Sequence, residues 1–196
     1  MERSITFLEG EFYHVYNRGI NKEKIFFDEN DRKHFQKLLY TRNTSKRIDT
    51  SRVKGLPLHK IDRNETLVDI VAYVLMPNHY HLIVREKTPA GISTFMGKLG
   101  TAYSMSINTK YKRTGALMCH PYRSKHINTD RYLRWLMLYV HNNPKKLSGE
   151  NNQTNFLKQY QYSSYIDYFG AKRDERLILN PKTLPFPEQE IDSDVN

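Results

Sequence analysis

Hydrophobic positions along this chain follow two different spacings. The densest run is Val68-Asp-Ile-Val-Ala-Tyr-Val-Leu-Met-Pro-Asn-His-Tyr-His-Leu-Ile-Val-Arg85. Its β-branched and aromatic residues flank a Met76-Pro77-Asn78 turn, which predicts a hairpin with strands over 68–75 and 79–85. Side chains alternate faces along a strand, so His79 and His81 point to one side, with Tyr80 and Leu82 on the other. An earlier strand is predicted over 11–17, with Arg18-Gly19 turning out of it, and a later one over 121–127. Elsewhere the spacing is helical. The acids of Asp28-Glu-Asn-Asp31 cap a helix reaching about Arg42, with Phe35, Leu38 and Leu39 turned inward. A second helix is expected from position 90 or 91 to 111, its buried stripe traced by Ile92, Phe95, Met96, Leu99, Ala102 and Tyr103. Asn128 or Thr129, then Asp130, caps a third helix that reaches at least Val140 and that Pro144 stops or kinks. Tyr132, Trp135, Leu136 and Tyr139 fall on its neighbouring ridges.

Between and after these elements the periodicity fades. Residues 44–65 are rich in Ser, Thr, Lys, Arg and Asp and read as an exposed loop or insertion. Aromatics from Phe156 to Phe169 are expected to pack a C-terminal segment onto the sheet. The 196 residues suit one domain over 1–175, followed by an extended or disordered tail over 176–196.

Composition narrows the function classes. No run of 18 apolar residues is present, so no membrane helix is expected, and the first residues lack the apolar core of a secretion signal. The single Cys119 excludes an intrachain disulfide and fits a reducing cytoplasm. Charge is placed unevenly. Residues 98–146 hold ten Lys or Arg (Lys98, Lys110, Lys112, Arg113, Arg123, Lys125, Arg131, Arg134, Lys145 and Lys146) against one acid, Asp130. That quarter of the chain contributes +9 of the total +10. A polyanion is the natural partner of such a band, because neutralising phosphates releases counterions. Fourteen Tyr and nine Phe are many for a chain this polar, and aromatics among basic residues suit stacking on bases, although core packing is the commoner use of any one ring.

Two neighbouring imidazoles at the mouth of a hairpin are a ready pair of metal ligands, and His79 and His81 meet that description. Packing or hydrogen bonding is the plainer use of such a pair. A zinc site of the His-x-His-x-Asp-His type would need Asp at position 83, where Ile83 stands. The other suggestive stretch is Leu138-Tyr-Val-His-Asn-Asn-Pro144. In an unbroken helix Tyr139 and Asn143 share a face, which would set a phenol beside an amide oxygen. Spacing alone equally allows a core tyrosine and an asparagine that ends the helix. His14, His126 and His141 are further histidines within plausible reach, His14 more as packing and the other two for proton handling.

Taken together, Tyr-Val-Leu-Met-Pro-Asn-His-Tyr-His-Leu-Ile-Val (73–84) and Tyr-Val-His-Asn-Asn-Pro (139–144) resemble the HUH single-strand DNA endonucleases. Within them the chain is most similar to the REP-associated tyrosine transposases, relatives of the transposases of the smallest bacterial insertion sequences. Asn17-Arg-Gly19, Trp135 with the helix around it, and Tyr162-Ser-Ser-Tyr165 share in the resemblance, which spans about residues 10 to 170. The chain departs from the usual pattern at Leu138, where a basic residue is common, and at Asn142, where an apolar one is. It departs again in His120-Pro-Tyr-Arg-Ser124, where Gly-Arg-Tyr/Phe-Lys-Ser is common.

The resemblance implies a single α+β domain: an antiparallel sheet of four to five strands with helices packed on it, in the ferredoxin-like HUH arrangement. It implies His79, His81 and Asn143 as ligands of Mg²⁺ or Mn²⁺, and Tyr139 as the nucleophile of a metal-dependent DNA strand cleavage and rejoining. Single-stranded or hairpin DNA is the implied partner, contacted by Arg18 and by the ten cations of the basic band. A non-catalytic hairpin-binding module on the same scaffold is the alternative. Related transposases work as dimers, so a homodimer stands beside a simpler arrangement.

Overall fold

The β-branched stretches assemble into one antiparallel sheet. The computed structural model describes residues 6–49, 52–119, 121–149 and 153–191. In chain order the elements are β1 (Phe12–Arg18), α1 (Glu29–Thr41), β2 (Val68–Met76), β3 (His79–Glu86), α2 (Gly91–Lys110), β4 (Arg123–Ile127), α3 (Asp130–Asn142), α4 (Gln153–Gln159) and α5 (Tyr165–Tyr168). Strand order is β2-β3-β1-β4, and each neighbouring pair runs antiparallel. The succession β1-α1-β2-β3-α2-β4 with this order is the ferredoxin-like arrangement, and the sheet has four strands.

Alternation divides the sheet into two faces with separate cores. One face offers Tyr13, Val15, Tyr73, Leu75, Tyr80 and Leu82 to the inner stripes of α1 and α2, including Phe35, Leu39, Phe95 and Leu99. The other offers Val74, Met76, Ile83 and Ile127 to Leu133, Leu136, Met137 and Val140 of α3. The helices start where short polar side chains or acids satisfy their free N–H groups. Asp28 accepts from the Asp31 N–H at 2.8 Å while the Asp31 carboxylate accepts from the Asp28 N–H at 3.2 Å, a reciprocal cap on α1. Thr129 accepts from the Tyr132 N–H and caps α3. At α2 the cap comes from β3: the buried Glu86 carboxylate accepts from Gly91 N and Ile92 N at 2.9 and 2.7 Å.

The outer edge of β2 is covered by a segment that α4 and α5 flank. Leu75 N donates to Tyr162 O, Ser164 N donates to Tyr73 O, and Tyr73 N donates to Ser164 Oγ, each at 2.9 Å. Pairing an edge in this way removes a site for unwanted strand addition.

Two stretches differ from expectation. Within 176–191 the chain is packed rather than extended. Turns at Asp174–Ile178, Pro181–Thr183 and Glu188–Ile191 help bury Ile178, Leu179, Phe186 and Ile191 against the two cores. Prolines at 181, 185 and 187 forbid regular helix there, yet tight turns suffice to bring the apolar side chains home. The remaining tail positions, 192–196, lie outside the described residues. Residues 44–65 form neither strand nor α-helix where described, but Leu58 and Ile61 are buried and Lys37 Nζ donates to Val53 O and Leu56 O. That loop is therefore pinned to α1.

Candidate active site

The histidine pair occupies the tip of the β2–β3 hairpin on the face that α3 covers. Tyr16 stands opposite His81 and Arg18 opposite His79 in the β1–β3 register. The tip is clamped: Gly19 N donates to Asn78 O, and Ile25 N and Phe26 N both donate to Pro77 O. Gly19 is required there, because a Cβ would sit 2.1 Å from Glu23 O. Asn17 ties the end of β1 to the segment before β4 by donating to Cys119 O at 2.8 Å. The Asn17-Arg-Gly19 triplet thus fixes the loop against which His79 rests.

Hydrogen bonds on the Nδ1 side set the direction of both imidazoles. His79 Nδ1 lies 2.7 Å from Asn78 Oδ1, an acceptor only, so Nδ1 carries the proton and Nε2 keeps its lone pair. His81 Nδ1 lies 2.8 Å from His14 Nε2, which leaves His81 Nε2 free. The rings of His79 and His81 have centroids 5.1 Å apart. Burial lowers the affinity of His79 for a proton, with Asn143 working against that effect and Lys146 and Arg18 adding to it. Burial drives His81 down to about 2, helped by His14, His79 and Lys146. Both rings are thereby kept neutral, the form that binds metal.

The third helix brings in the remaining groups. Tyr139 is 37% exposed and its ring lies edge-on to His81, centroid to centroid 5.6 Å. Asn143 keeps helical angles (φ −52°, ψ −41°) although Pro144 follows it, so it stays one turn beyond Tyr139. Its Nδ2 donates to Tyr139 O at 3.1 Å. That turns Oδ1 inward, where it is buried, near enough to His79 to favour a proton there, and without a well-formed hydrogen bond. An orphaned buried amide oxygen beside two imidazoles with free Nε2 lone pairs is a donor set that fits a divalent cation. Among the described residues no three His, Cys, Asp or Glu side chains gather to hold a metal.

The predicted cations divide between the two faces. Arg18, Arg123 and Lys125 lie on the histidine side of β1 and β4, all exposed, and Lys146 Nζ sits 5.6 Å from the Tyr139 ring centroid. Lys145 is half-buried in the turn after α3, and Arg131 is exposed at its start. Arg134 pairs with Glu190 and covers Phe186. Four others are not brought to the site. Lys98 and Lys110 belong to α2 on the opposite face, where Lys98 donates to Thr44 O and Lys110 bridges Asp28 and Asp31, each at 2.7 Å. Lys112 and Arg113 follow that helix, with Arg113 over Phe27.

Two histidines move out of the chemistry and one moves in. His126 points to the other face and meets Glu11 at 2.8 Å. His141 is buried against Ser164, Tyr165 and Tyr168, and burial lowers its pKa to about 3. It anchors the end of α3 to the segment covering β2. His14, read from sequence chiefly as packing, instead supports His81 directly; burial, with Lys125, lowers it to about 4. Its place in the β1 alternation, on the same side as Tyr16 and Arg18, was the available signal.

Comparison with known proteins follows the same lines. A family profile described as "Transposase IS200 like" matches residues 10–143. Among solved structures, a REP-associated tyrosine transposase bound to a REP hairpin aligns with a TM-score of 0.60 at 12% identity, covering 89% of this chain and 90% of that one. A bacterial tRNA(His) guanylyltransferase-like protein in complex with ATP aligns with a TM-score of 0.41 at 10% identity, covering 80% of this chain and 70% of that one. No curated protein matches. Because the matched profile takes in both histidines, the helical tyrosine and the asparagine after it, over two thirds of the sequence, the chain belongs to the IS200-like transposase family.

Proposed function

We propose that this chain cuts and rejoins single-stranded DNA through a covalent link to Tyr139, with hairpin-forming DNA as the substrate class. The observation that carries the reading is the convergence of the half-exposed Tyr139 ring, His81 and the orphaned Asn143 oxygen on one side of the sheet. The bound hairpin in the similar transposase structure supports the choice of DNA.

His79, His81 and Asn143 would hold Mg²⁺ or Mn²⁺. Such a cation, when bound, draws charge from the scissile phosphate. Its imidazole ligands make Mn²⁺ an acceptable substitute for Mg²⁺. The protein groups do the rest. Tyr139 Oη forms a bond to phosphorus as its proton passes to solvent, and the bond from phosphorus to the 3′ oxygen breaks. That oxygen leaves as a 3′-hydroxyl after taking a proton from water, and a 5′-phosphotyrosine remains. The reverse attack by a second 3′-hydroxyl reseals a strand without ATP, because the phosphodiester energy is conserved. Lys146, beside the phenol, and Arg18, opposite His79, face the phosphate charge. His14 holds His81 in the tautomer that presents Nε2. We assign the catalytic unit to residues extending through 191, since the late turns complete both cores.

The test is to incubate the protein with Mn²⁺ and an end-labelled hairpin oligonucleotide carrying a single-stranded flank. A band resistant to denaturation is expected, absent from Tyr139→Phe while that variant still binds the DNA. Binding by the wild-type protein with no adduct under any divalent metal would leave a hairpin-recognition module instead. A free 5′-phosphate product that persists in Tyr139→Phe would point to hydrolysis by water.

A further inference from the structure

We propose that Tyr132, Trp135 and Tyr139 form a stacking rail for the unpaired bases next to the phosphate that meets Tyr139. The three rings occur at i, i+3 and i+7 of α3, so they share one ridge. They lie nearly parallel, with centroids 5.9 Å apart at 16° and then 5.7 Å apart at 12°. Trp135 is 56% exposed, whereas the core is served by the adjacent stripe of Leu133, Leu136, Met137 and Val140. An indole this exposed contributes little to the core and offers a wide apolar plane to a ligand.

The surroundings say what that ligand is. A lysine stands at each end of the rail: Lys125 Nζ lies 5.0 Å from the Tyr132 ring centroid, and Lys146 Nζ lies 5.6 Å from that of Tyr139. Arg123, beside Lys125 in the strand alternation, adds a third exposed cation on the same face of β4. Flat π-faces flanked by fixed positive charge match a chain of stacked bases on a phosphate backbone, and stacking is indifferent to base identity. A base pair hides its faces inside the duplex, so the occupant is single-stranded. The rail ends at the proposed nucleophile, which gives it a function: it seats the nucleotides beside the scissile bond and thereby sets which phosphate reaches Tyr139. This rests on the active-site reading above, but its test needs no cleavage.

Trp135 is the sole tryptophan of the chain, so its emission reports on this site alone. The full-length Tyr139→Phe protein, which keeps the ring and lacks the hydroxyl, is titrated with an oligothymidylate strand in the presence of a chelator. Strong quenching of Trp135 is expected, and little from an abasic sugar-phosphate strand of equal length and charge. In the same background Trp135→Ala weakens oligothymidylate binding by roughly tenfold or more. Trp135→Phe recovers most of that loss, and neither substitution changes affinity for the abasic strand beyond about twofold. Equal quenching by the two strands, or an unchanged affinity in Trp135→Ala with its melting temperature preserved, overturns the rail. If no adduct ever forms yet quenching and its loss behave as stated, the rail stands as a binding surface and only the cleavage chemistry fails.

Discussion

Replacing His14 by Ala separates metal holding from folding. His14 is 8% exposed on β1, and its Nε2 meets His81 Nδ1 at 2.8 Å, with the two rings within 23° of one plane. Removing it leaves His81 Nδ1 buried and unpaired, which costs about 1–3 kcal/mol of stability. It also frees His81 to turn its protonated nitrogen toward the site, where a proton excludes a cation. Support of this kind is worth about tenfold to a hundredfold in metal affinity, or roughly 1.4 to 2.8 kcal/mol. Mn²⁺ binding, followed by loss of the free-ion electron paramagnetic resonance signal, is the first readout, and urea unfolding is the second. The expected outcome is a weakened Mn²⁺ dissociation constant in a protein still folded, with part of the loss restored by His14→Gln, whose amide oxygen can accept from Nδ1. An Mn²⁺ affinity identical to wild type in folded His14→Ala would refute the supporting role.

Other consequences follow from the same geometry. Asn143→Ala removes the orphaned oxygen and should abolish tight Mn²⁺ binding while lowering stability little, since only one hydrogen bond is lost, worth about 1 kcal/mol. Lys125→Ala should weaken oligothymidylate binding and reduce its salt dependence by about one phosphate contact, whereas Lys98→Ala on the far face should change neither. Leu136→Ala should cost about 2–5 kcal/mol in urea unfolding, because that side chain is fully enclosed between α3 and the sheet. Acid should destabilise the metal-free fold: the pKa values of His14 and His141 are lowered to about 4 and about 3, so the unfolded chain takes up protons first. That stability is fully present above pH about 6.5 and is lost as pH falls through the range down to about 3–4. Melting temperatures measured from pH 7 to 5 should decline accordingly.

What the sequence revealed depended on whether an interaction is local. Alternation placed His79 and His81 on one face with Tyr80 and Leu82 on the other, because a strand's side-chain period is a covalent fact. Capping acids located α1, and Pro144 marked the end of α3 to within a turn. Partnerships across the sheet were invisible. Nothing in residues 98–146 tells that Lys98 and Lys110 face away from Arg123 and Lys125, since that depends on which side of the sheet α2 packs. His14 could not be matched to His81 without the β1–β3 register. His141, one turn or less from Tyr139 and Asn143, looked available for proton transfer, yet it turns into the core toward Ser164. The late prolines masked a segment whose four apolar anchors are buried only because two hydrophobic faces already wait for them. The HUH resemblance supplied an expectation that spacing alone left open, namely that a helical phenol approaches a hairpin of histidines, and the Tyr139 ring does lie 5.6 Å from that of His81.

The most direct measurement is to isolate the protein–DNA adduct formed with Mn²⁺ and a hairpin oligonucleotide, digest it with protease and nuclease, and locate the residual nucleotide by mass spectrometry. The expected result is a single modified peptide spanning the third helix, with the phosphate on Tyr139. A nucleotide carried by any other tyrosine, or a DNA product cut with no peptide attached, would contradict it.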